Sequence, residues 1–289
     1  MKPWGRRASS RNASRRPIKA RAGWVNALPA AQAKARERVA MSVRPSPSIM
    51  SEEIARFEAL GDAWWDVEGP MAPLHRVNPV RIGWARDLIM RHFKLETGAG
   101  APLAGIDLLD VGCGAGLFAE PLVRLGAKVV GVDPAPAAIE AARHHAEETG
   151  AKLAYRMGTV EELAEEARLF DVVSAMEVIE HAADPKRFVA TAASLVKPGG
   201  LFLASTLNRT LRSFALAIVG AEYVLRWLEP GTHRWEQFVT PLELTGFARA
   251  AGLRRHSLRG MVYDPFRRDW RLSSDTAVNY LFAATKSEV

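Results

Sequence analysis

The stretch Asp110-Val-Gly-Cys-Gly-Ala-Gly116 decides the fold, because a short apolar run precedes it and a helical pattern follows it. The apolar run, Ile106–Val111, has the length of a buried strand, and the helical pattern continues to Leu125. Glycines at alternate positions allow a tight turn and let backbone amides come close to a ligand. A glycine-rich loop between a strand and a helix predicts a binding site for a nucleotide-like molecule.

Outward from this loop, apolar runs and helical patterns alternate along the chain. The predicted strands cover residues 106–111, 128–132, 153–157, 170–176, 201–205, 254–262 and 278–285. Two helices are predicted before the loop, over Glu52–Leu60 and Pro79–Phe93. A later helix begins at Thr240-Pro-Leu-Glu243, which has the N-cap residue, the proline and the acid of a helix start. The alternation predicts an α/β fold with a doubly wound, mostly parallel, seven-stranded sheet that binds ligands at the carboxyl ends of its strands.

The acids around the loop distinguish between two kinds of ligand. Asp133 ends the second strand and can accept hydrogen bonds from both hydroxyls of a ribose. A nicotinamide site prefers Gly-x-Gly-x-x-Gly, whereas this loop is Gly-x-Gly-x-Gly and begins with Asp110. S-adenosylmethionine carries an ammonium and a sulfonium instead of a pyrophosphate, and an acid at position 110 would help to hold these cations. We therefore predict that Asp110, Gly112, Gly114 and Asp133 bind S-adenosylmethionine, and that the chain is not a nicotinamide oxidoreductase.

Two later segments resemble the class I S-adenosylmethionine-dependent methyltransferases. Phe170-Asp-Val-Val-Ser-Ala-Met176 is similar to the fourth strand of that class, and Leu195-Val-Lys-Pro-Gly-Gly-Leu-Phe-Leu203 is similar to its turn into the fifth. The resemblance implies the Rossmann-like fold of the class. It also implies that Thr159 and Val160 lie beside the adenine and that Met176 packs on the other side of the donor. On apolarity alone, such residues fit an ordinary core as well.

The stretch Met176-Glu-Val-Ile-Glu-His181 carries the candidate catalytic side chains. In a helical turn, Glu177, Glu180 and His181 would share one face, because they stand at i, i+3 and i+4. Two carboxylates and an imidazole at the end of a strand can bind a divalent ion, and one of them can take the proton of a phenol. A purely structural loop is the alternative. We predict Glu177 and His181 as catalytic residues and all three side chains as metal ligands.

The run from Phe57 to Lys286 resembles the ubiquinone biosynthesis O-methyltransferase family. The matching pieces are Phe57-Glu-Ala-Leu-Gly-Asp-Ala-Trp-Trp-Asp66, Leu74-His-Arg-Val-Asn-Pro-Val-Arg81, the glycine loop, Met176–His181, Ser205-Thr-Leu-Asn-Arg209, His233-Arg-Trp-Glu-Gln-Phe238, Pro241-Leu-Glu-Leu244 and Asn279-Tyr-Leu-Phe282. The Trp64-Trp65 pair and the Asn78-Pro-x-Arg81 element are more specific than the glycine loop. They argue against a class I methyltransferase that acts on another small-molecule or lipid acceptor.

This family resemblance implies the reaction and its participants. The reaction is methyl transfer to phenolic oxygens of polyprenylated catechol and quinol intermediates, at two steps of ubiquinone biosynthesis. Arg81, Gly112, Asp133 and Met176 would contact the donor, and a guanidinium at position 81 suits the donor's carboxylate because the pair can be bidentate. A divalent ion such as Mg²⁺ would lie at the three predicted metal ligands. Association with other enzymes of the ubiquinone pathway is implied as well.

The net charge of +7 is unevenly distributed along the chain. Residues 1–48 carry twelve Lys and Arg side chains and one acid, Glu37, whereas residues 49–289 carry 27 basic and 31 acidic side chains. The basicity belongs to the N-terminal extension, so a nucleic-acid-binding domain is not favoured. Three interpretations of the extension stay open. It is a mitochondrial transit peptide, a disordered basic arm that touches anionic lipid or nucleic acid, or sequence upstream of a start at Met41 or Met50.

The methyltransferase domain is predicted over residues 49–289, with N-terminal helices in 49–105 and an insertion at 206–239. Within this insertion, Thr210–Leu228 has an apolar run with aromatic residues between two arginines, which predicts either contact with an anionic membrane surface or a lid over the site. No run of eighteen apolar residues is present, so we expect no spanning helix. The single cysteine, Cys113, fits a reducing compartment. We expect a cytoplasmic enzyme at the inner face of the membrane, or a mitochondrial matrix enzyme if the extension is a transit peptide.

Overall fold

The computed structural model describes residues 60–96, 100–216 and 234–288. All of them belong to the unit Ser46–Val289. The predicted basic extension, the predicted helix that starts at Glu52 and the middle of the predicted insertion lie outside the described residues. The prediction that the domain begins at residue 49 therefore stays a prediction.

The described residues form one eight-stranded sheet. Its strands are β1 (Asp107–Val111), β2 (Lys128–Asp133), β3 (Ala154–Met157), β4 (Phe170–Met176), β5 (Val196–Leu207), β6 (Leu253–Asp264), β7 (Asp269–Ser273) and β8 (Asn279–Lys286). They lie in the order β3-β2-β1-β4-β5-β8-β6-β7. The first five pair in parallel, and β8 runs antiparallel to both β5 and β6. The predicted doubly wound, mostly parallel α/β sheet is confirmed.

The predicted count of seven strands is one short, because β7 adds an eighth at the edge of the sheet. β7 pairs with β6 alone, in antiparallel register from Asp264 opposite Asp269 to Gly260 opposite Ser273. None of its five side chains is fully buried. An edge strand that leaves its side chains in contact with water has no apolar run, and this is why the sequence pattern did not reveal it.

Six helices and several short turns join the strands in the described residues. The helices are α1 (Ala72–Phe93), α2 (Ala119–Arg124), α3 (Pro136–Thr149), α4 (Val160–Glu165), α5 (Pro185–Ser194) and α6 (Pro241–Ala250). Turns of 3-10 helix cover Gly61–Trp65, Ile179–His181 and Trp235–Gln237, and a single α-turn covers Leu211–Ser213. Helix α6 begins with the predicted capping box, in which Thr240 and Glu243 each accept a hydrogen bond from the backbone amide of the other.

Helix α1 begins seven residues before the predicted start at Pro79. Its first turn contains Pro73, and Pro79 lies within the helix. A proline inside a helix removes one backbone hydrogen bond. The buried face of α1 nevertheless continues on both sides of Pro79, through Val77 and Trp84. Packing of this face on the core therefore outweighs the local cost of the proline.

The core lies on both faces of the sheet. Alternate residues of β1 belong to separate apolar clusters, with Leu108 on the side of α1 and α3 and Leu109 on the side of α4 and α5. Both side chains are fully buried. Because parallel strands covered on two faces have no polar side, they appear in the sequence as continuous apolar runs. In such strands, polar side chains are concentrated at the strand ends, and the glycine loop follows the end of β1.

Candidate active site

The glycine loop is held against the carboxyl end of β2 by backbone hydrogen bonds. The amides of Gly112 and Cys113 donate to the carbonyl of Val132 at 2.8 and 3.1 Å. The amide of Gly114 donates to Oδ2 of Asp133 at 2.9 Å. All three glycines of the loop have positive φ, between 51° and 89°, a conformation that glycine adopts without steric cost. The loop and the predicted ribose-binding acid therefore form one structure.

Asp133 is buried, and both of its carboxylate oxygens accept backbone hydrogen bonds. Oδ1 accepts from the amide of Ala135 at 2.9 Å, and Oδ2 accepts from the loop. Burial raises the pKa of Asp133, while the two amide bonds oppose the rise. A carboxylate oxygen has two lone pairs. Each oxygen can therefore accept a further hydrogen bond, as the predicted contact with ribose requires.

Asp110 lies beside this group and is 2% exposed. Its Oδ1 accepts a hydrogen bond from Oγ of Ser174 on β4 at 2.7 Å. Burial raises the pKa of Asp110 to about 7; the hydrogen bond from Ser174 lowers it, and the charge of Asp133 raises it further. A cationic group bound here would relieve the cost of two neighbouring buried acids. The buried acid of Asp110 therefore fits the prediction that this position favours the cationic groups of the donor.

Arg81 and Glu177 form an ion pair that joins α1 to the end of β4. The guanidinium Nη2 lies 2.6 Å from Oε1 of Glu177, and the two side chains are 7% and 19% exposed. Nε of Arg81 is buried and has no hydrogen-bond partner among the described residues. A buried guanidinium with an unused N–H suits a carboxylate ligand. The structure thus brings Arg81 into contact with Glu177, a predicted catalytic residue at the end of β4, and its contact with the donor stays a prediction.

Glu177 lies outside the helical turn that contains Glu180 and His181, so the shared helical face that such a turn would give is not formed. Glu177 has a φ of +56°, and its amide donates to the carbonyl of Ser205 at 2.9 Å. Only residues from Ile179 to His181 form a 3-10 turn. The left-handed residue turns the chain before the 3-10 segment begins, so the three side chains do not share one helical face.

Glu180 lies in the interior and is 2% exposed. Its Oε2 accepts a hydrogen bond from Oγ1 of Thr206 at 2.7 Å, and its Oε1 is buried without a partner among the described residues. Burial raises the pKa of Glu180, the charge of Glu177 adds to the rise, and the charge of His181 opposes it. His181 is half-buried at the end of the same turn.

These three residues do not fit a divalent ion. In the part of the chain that the structure describes, no three His, Cys, Asp or Glu side chains are grouped so that they could hold a metal. The carboxylate of Glu177 is engaged by a guanidinium, and that of Glu180 is buried against a threonine. Mg²⁺ needs oxygen ligands in nearly octahedral geometry around one point. The predicted metal centre is therefore not assembled.

The residues predicted beside the adenine have structural partners of their own. Thr159 caps α4, and its side chain accepts from the amide of Glu162 while Glu162 accepts from its backbone. Val160 is 2% exposed and belongs to the core. Met176 is half-buried at the last position of β4, opposite Ser205. The contact of these residues with the donor stays a prediction. For Val160, the structure shows the alternative position in the hydrophobic core.

Several residues of the site were not predicted as site residues. The ring of Trp64 lies against the loop, so that a Cβ on Gly114 would be 2.7 Å from it. Nδ2 of Asn78 donates to the carbonyl of Leu117 at 2.5 Å, and Ser174 bonds Asp110. The sequence marked the Trp pair and Asn78 only through resemblance, because nothing local shows which loop they touch.

Comparison with known proteins places the chain in a class. A family model described as a methyltransferase domain matches residues 84–258. Magnesium protoporphyrin IX methyltransferase (ChlM) from Synechocystis PCC 6803, solved with bound SAM, is 15% identical with a TM-score of 0.55, over 84% of this chain and 100% of that one. The same enzyme with bound SAH is 19% identical with a TM-score of 0.52, over 72% of this chain and 82% of that one. Fold and family model together define a methyltransferase of the Rossmann-like class.

More similar relatives define the particular family. The ubiquinone biosynthesis O-methyltransferase of Azorhizobium caulinodans is 54% identical over 240 residues, which cover 83% of this chain and 95% of that protein. The corresponding protein of Methylobacterium nodulans is 54% identical over 246 residues, which cover 85% of this chain and 99% of that protein. The chain belongs to the ubiquinone biosynthesis O-methyltransferase family. The predictions of fold class, family, O-methyltransferase activity and methyl donor are confirmed.

Proposed function

We propose that the chain transfers the methyl group of S-adenosylmethionine to a phenolic oxygen of polyprenylated catechol or quinol intermediates of ubiquinone. The observation that carries the proposal is the meeting of three strand ends at one edge. The buried acids of β1 and β2 lie there together with the Arg81–Glu177 pair after β4. The naming of the relatives supports the choice of acceptor.

The donor would lie along this edge in one orientation. Asp133 would bind the ribose hydroxyls, and the acid of Asp110 would favour the cationic end of the donor. The free N–H of Arg81 would bind the donor's carboxylate. Gly112 and Gly114 would let the donor approach the backbone. The adenine would lie between Met176 and the start of α4.

His181 is the residue that we expect to take the phenol proton. The reaction is a displacement at the sulfonium methyl, so alignment of the phenolic oxygen with that carbon supplies most of the catalysis. Oε1 of Glu177 already accepts a charge-assisted hydrogen bond from Arg81 and therefore serves better to position that guanidinium. An imidazole changes its protonation near neutral pH, which suits a proton acceptor.

Labelled S-adenosylmethionine and a short-chain prenylated catechol test the reaction directly. We expect label in the phenolic ether. The rate should be the same with and without EDTA, because Glu177, Glu180 and His181 are not grouped so that they could hold a metal ion. Loss of activity in EDTA that Mg²⁺ restores would contradict the metal-free mechanism. Transfer to a different small molecule or lipid, and none to the catechol, would contradict the acceptor.

A histidine pair gives a matched test of the proton acceptor. His181→Ala should lower turnover by about two orders of magnitude, the usual contribution of general base catalysis, while the donor binds as before. His144→Ala is the control, because the side chain of His144 is 66% exposed on α3. Equal losses of turnover and donor affinity in His181→Ala would indicate a collapsed site instead.

We propose that the enzyme also touches an anionic membrane from its inner face, since a polyprenyl acceptor resides in a bilayer. At the start of the insertion Leu211 is 82% and Leu216 is 52% exposed. No helix among the described residues is long and apolar enough to cross a membrane. Flotation with anionic vesicles should carry the wild-type chain upward and leave Leu211→Ser/Leu216→Ser behind. If the wild-type chain does not float, the segment is a lid or has another role.

A further inference from the structure

A buried carboxylate on α2 lies outside the donor site. Glu120 is fully buried, and Nδ1 of His145 lies 2.9 Å from both of its oxygens. Thr149 and Arg124 are more distant partners, each at 3.3 Å. A buried carboxylate is costly unless it is hydrogen-bonded, and an ionised one only accepts. The contact of Nδ1 with both carboxylate oxygens fixes the orientation of the imidazole ring.

The imidazole of His145 packs against the ring of Trp65, which comes from the N-terminal part of the domain. The rings of Trp65 and His145 are stacked, with centroids 3.4 Å apart and planes within 7° of parallel. Trp65 lies at the end of the 3-10 turn Gly61–Trp65, whereas His145 lies on α3, eighty residues further along the chain. A stack of two flat rings holds one against the other in position and in tilt.

Trp65 passes this constraint to the glycine loop. Its Nε1 donates to the carbonyl of Ala115 at 3.1 Å. On the other end of the same peptide unit, the amide of Gly116 donates to the carbonyl of Cys113 at 2.9 Å. The peptide plane between Ala115 and Gly116 is therefore fixed at both ends. A peptide unit bonded on both sides cannot flip without breaking two hydrogen bonds.

We infer that His145 is a positioning residue for the methyl donor. Glu120 orients its ring, the ring holds Trp65, and Trp65 holds the peptide plane at Ala115 in the conformation that the donor requires. Among the described residues, the side chain of His145 bonds Glu120 and stacks on Trp65, not on the donor acids or the turn at Glu180. It acts at a distance, through the conformation of the glycine loop.

The affinity for S-adenosylhomocysteine tests this inference, because donor-product binding does not depend on which acceptor the enzyme uses. His145→Asn keeps a side-chain N–H for Glu120 and removes the ring. We expect it to weaken binding about tenfold, the size of one aromatic stack, while the chain stays folded at the assay temperature and its turnover at saturating donor stays close to that of the wild type. Trp65→Phe keeps a stack but loses the hydrogen bond to Ala115 through which the stack acts on the loop, so we expect a loss of affinity at least as large as that in His145→Asn. His144→Ala, on the exposed side of α3, should bind as the wild type does.

Two outcomes would overturn the inference. The first is unchanged affinity in His145→Asn. The second is a loss of affinity that matches the fraction of unfolded protein, which would mean that the cluster only stabilises the fold. His145→Ala would leave the buried carboxylate of Glu120 without its closest hydrogen-bond partner, and this loss can unfold the chain. For this reason His145→Asn is the variant that tests the inference. If acceptor turnover fails in every chain while the affinities follow the expected order, the proposed reaction is wrong and the positioning role stands.

Discussion

At the scale of single residues, the donor site depends on places where only glycine or a buried acid fits. A Cβ on Gly116 would lie 1.9 Å from the hydroxyl oxygen of Tyr155, and the φ of Gly116 is +89°. Tyr155 belongs to β3 and is 7% exposed, so it cannot move away cheaply. The loop glycines were evident in the sequence, but the ring that fills the space beneath Gly116 was not.

Replacement of this glycine should be severe. We expect Gly116→Ala to lower the free energy of unfolding by about 2–5 kcal/mol, through backbone strain and overpacking. Gly246→Ala is the matched control, because it lies within α6 with nothing within 4 Å of the added Cβ. That change should raise the stability by up to about 1 kcal/mol. Urea unfolding of both variants measures the difference, and similar stabilities would refute the packing argument.

The acid of Asp110 predicts a pH dependence of stability. Its pKa rises from 3.8 to about 7 in the folded chain. The folded state therefore holds this proton more tightly than the unfolded state, and the contribution of Asp110 to stability is lost as the pH rises through about 7. Asp110→Asn stays neutral and can still accept from Ser174. We expect the variant to exceed the wild type by a few kcal/mol at about pH 8, because a change of one in the pKa corresponds to about 1.4 kcal/mol, with less advantage at about pH 5. The check is urea unfolding at both pH values. A gap that grows toward acid would reverse the sign and contradict the assignment.

At the scale of elements, local sequence decides some boundaries and packing decides others. The start of α6 follows from four consecutive residues, because the capping box is a local hydrogen-bond pattern. The start of α1 does not, because its apolar face passes Pro79 without a break. The edge strand β7 is recruited by pairing with β6, although its own residues are mostly in contact with water.

The cap of α6 can be tested with two threonines of the same helix. Oγ1 of Thr240 accepts from the amide of Glu243 at 3.2 Å, so Thr240→Ala should cost about 1 kcal/mol of stability. Oγ1 of Thr245 donates to the carbonyl of Pro241 within the helix. Thr245→Ala should be nearly neutral, since that bond adds little to a helix. The denaturant midpoints of the two variants measure the two stability changes. An equal loss of stability in both variants would mean that the capping hydrogen bond of Thr240 contributes no more than the bond of Thr245 within the helix.

At the scale of the whole molecule, the donor site joins elements that are distant in the chain. Residues of α1, the glycine loop, β2, and the end of β4 meet at one edge of the sheet. A ligand that binds across this edge binds only the folded chain. Its binding energy therefore adds to the stability of the domain as a unit.

S-adenosylhomocysteine, which remains after the donor has lost its methyl group, should therefore raise the thermal midpoint of the domain. At a concentration one hundred times its dissociation constant, S-adenosylhomocysteine should add about 2.7 kcal/mol to the free energy of unfolding. Asp133→Asn removes the charge from the ribose-binding acid and should reduce this gain. Asp269→Ala changes an exposed acid on the edge strand β7 and should keep the full gain. Calorimetric scans with and without the ligand measure it, and an equal shift in Asp133→Asn would show that this acid does not bind the donor.

The sequence by itself determined the glycine loop, the acid of Asp133, the parallel α/β sheet and the family, because strands, turns and motifs are patterns of neighbouring residues. The tertiary structure alone decided which side chains meet. It paired Arg81 with Glu177 across ninety-six residues, and the left-handed backbone at Glu177 placed this residue outside the helical turn of Glu180 and His181. Such contacts depend on the packing of whole helices on the sheet. The spacing of residues along the chain does not specify these contacts. For this reason the sequence predicted the glycine loop correctly, but not the arrangement of the side chains at Glu177, Glu180 and His181.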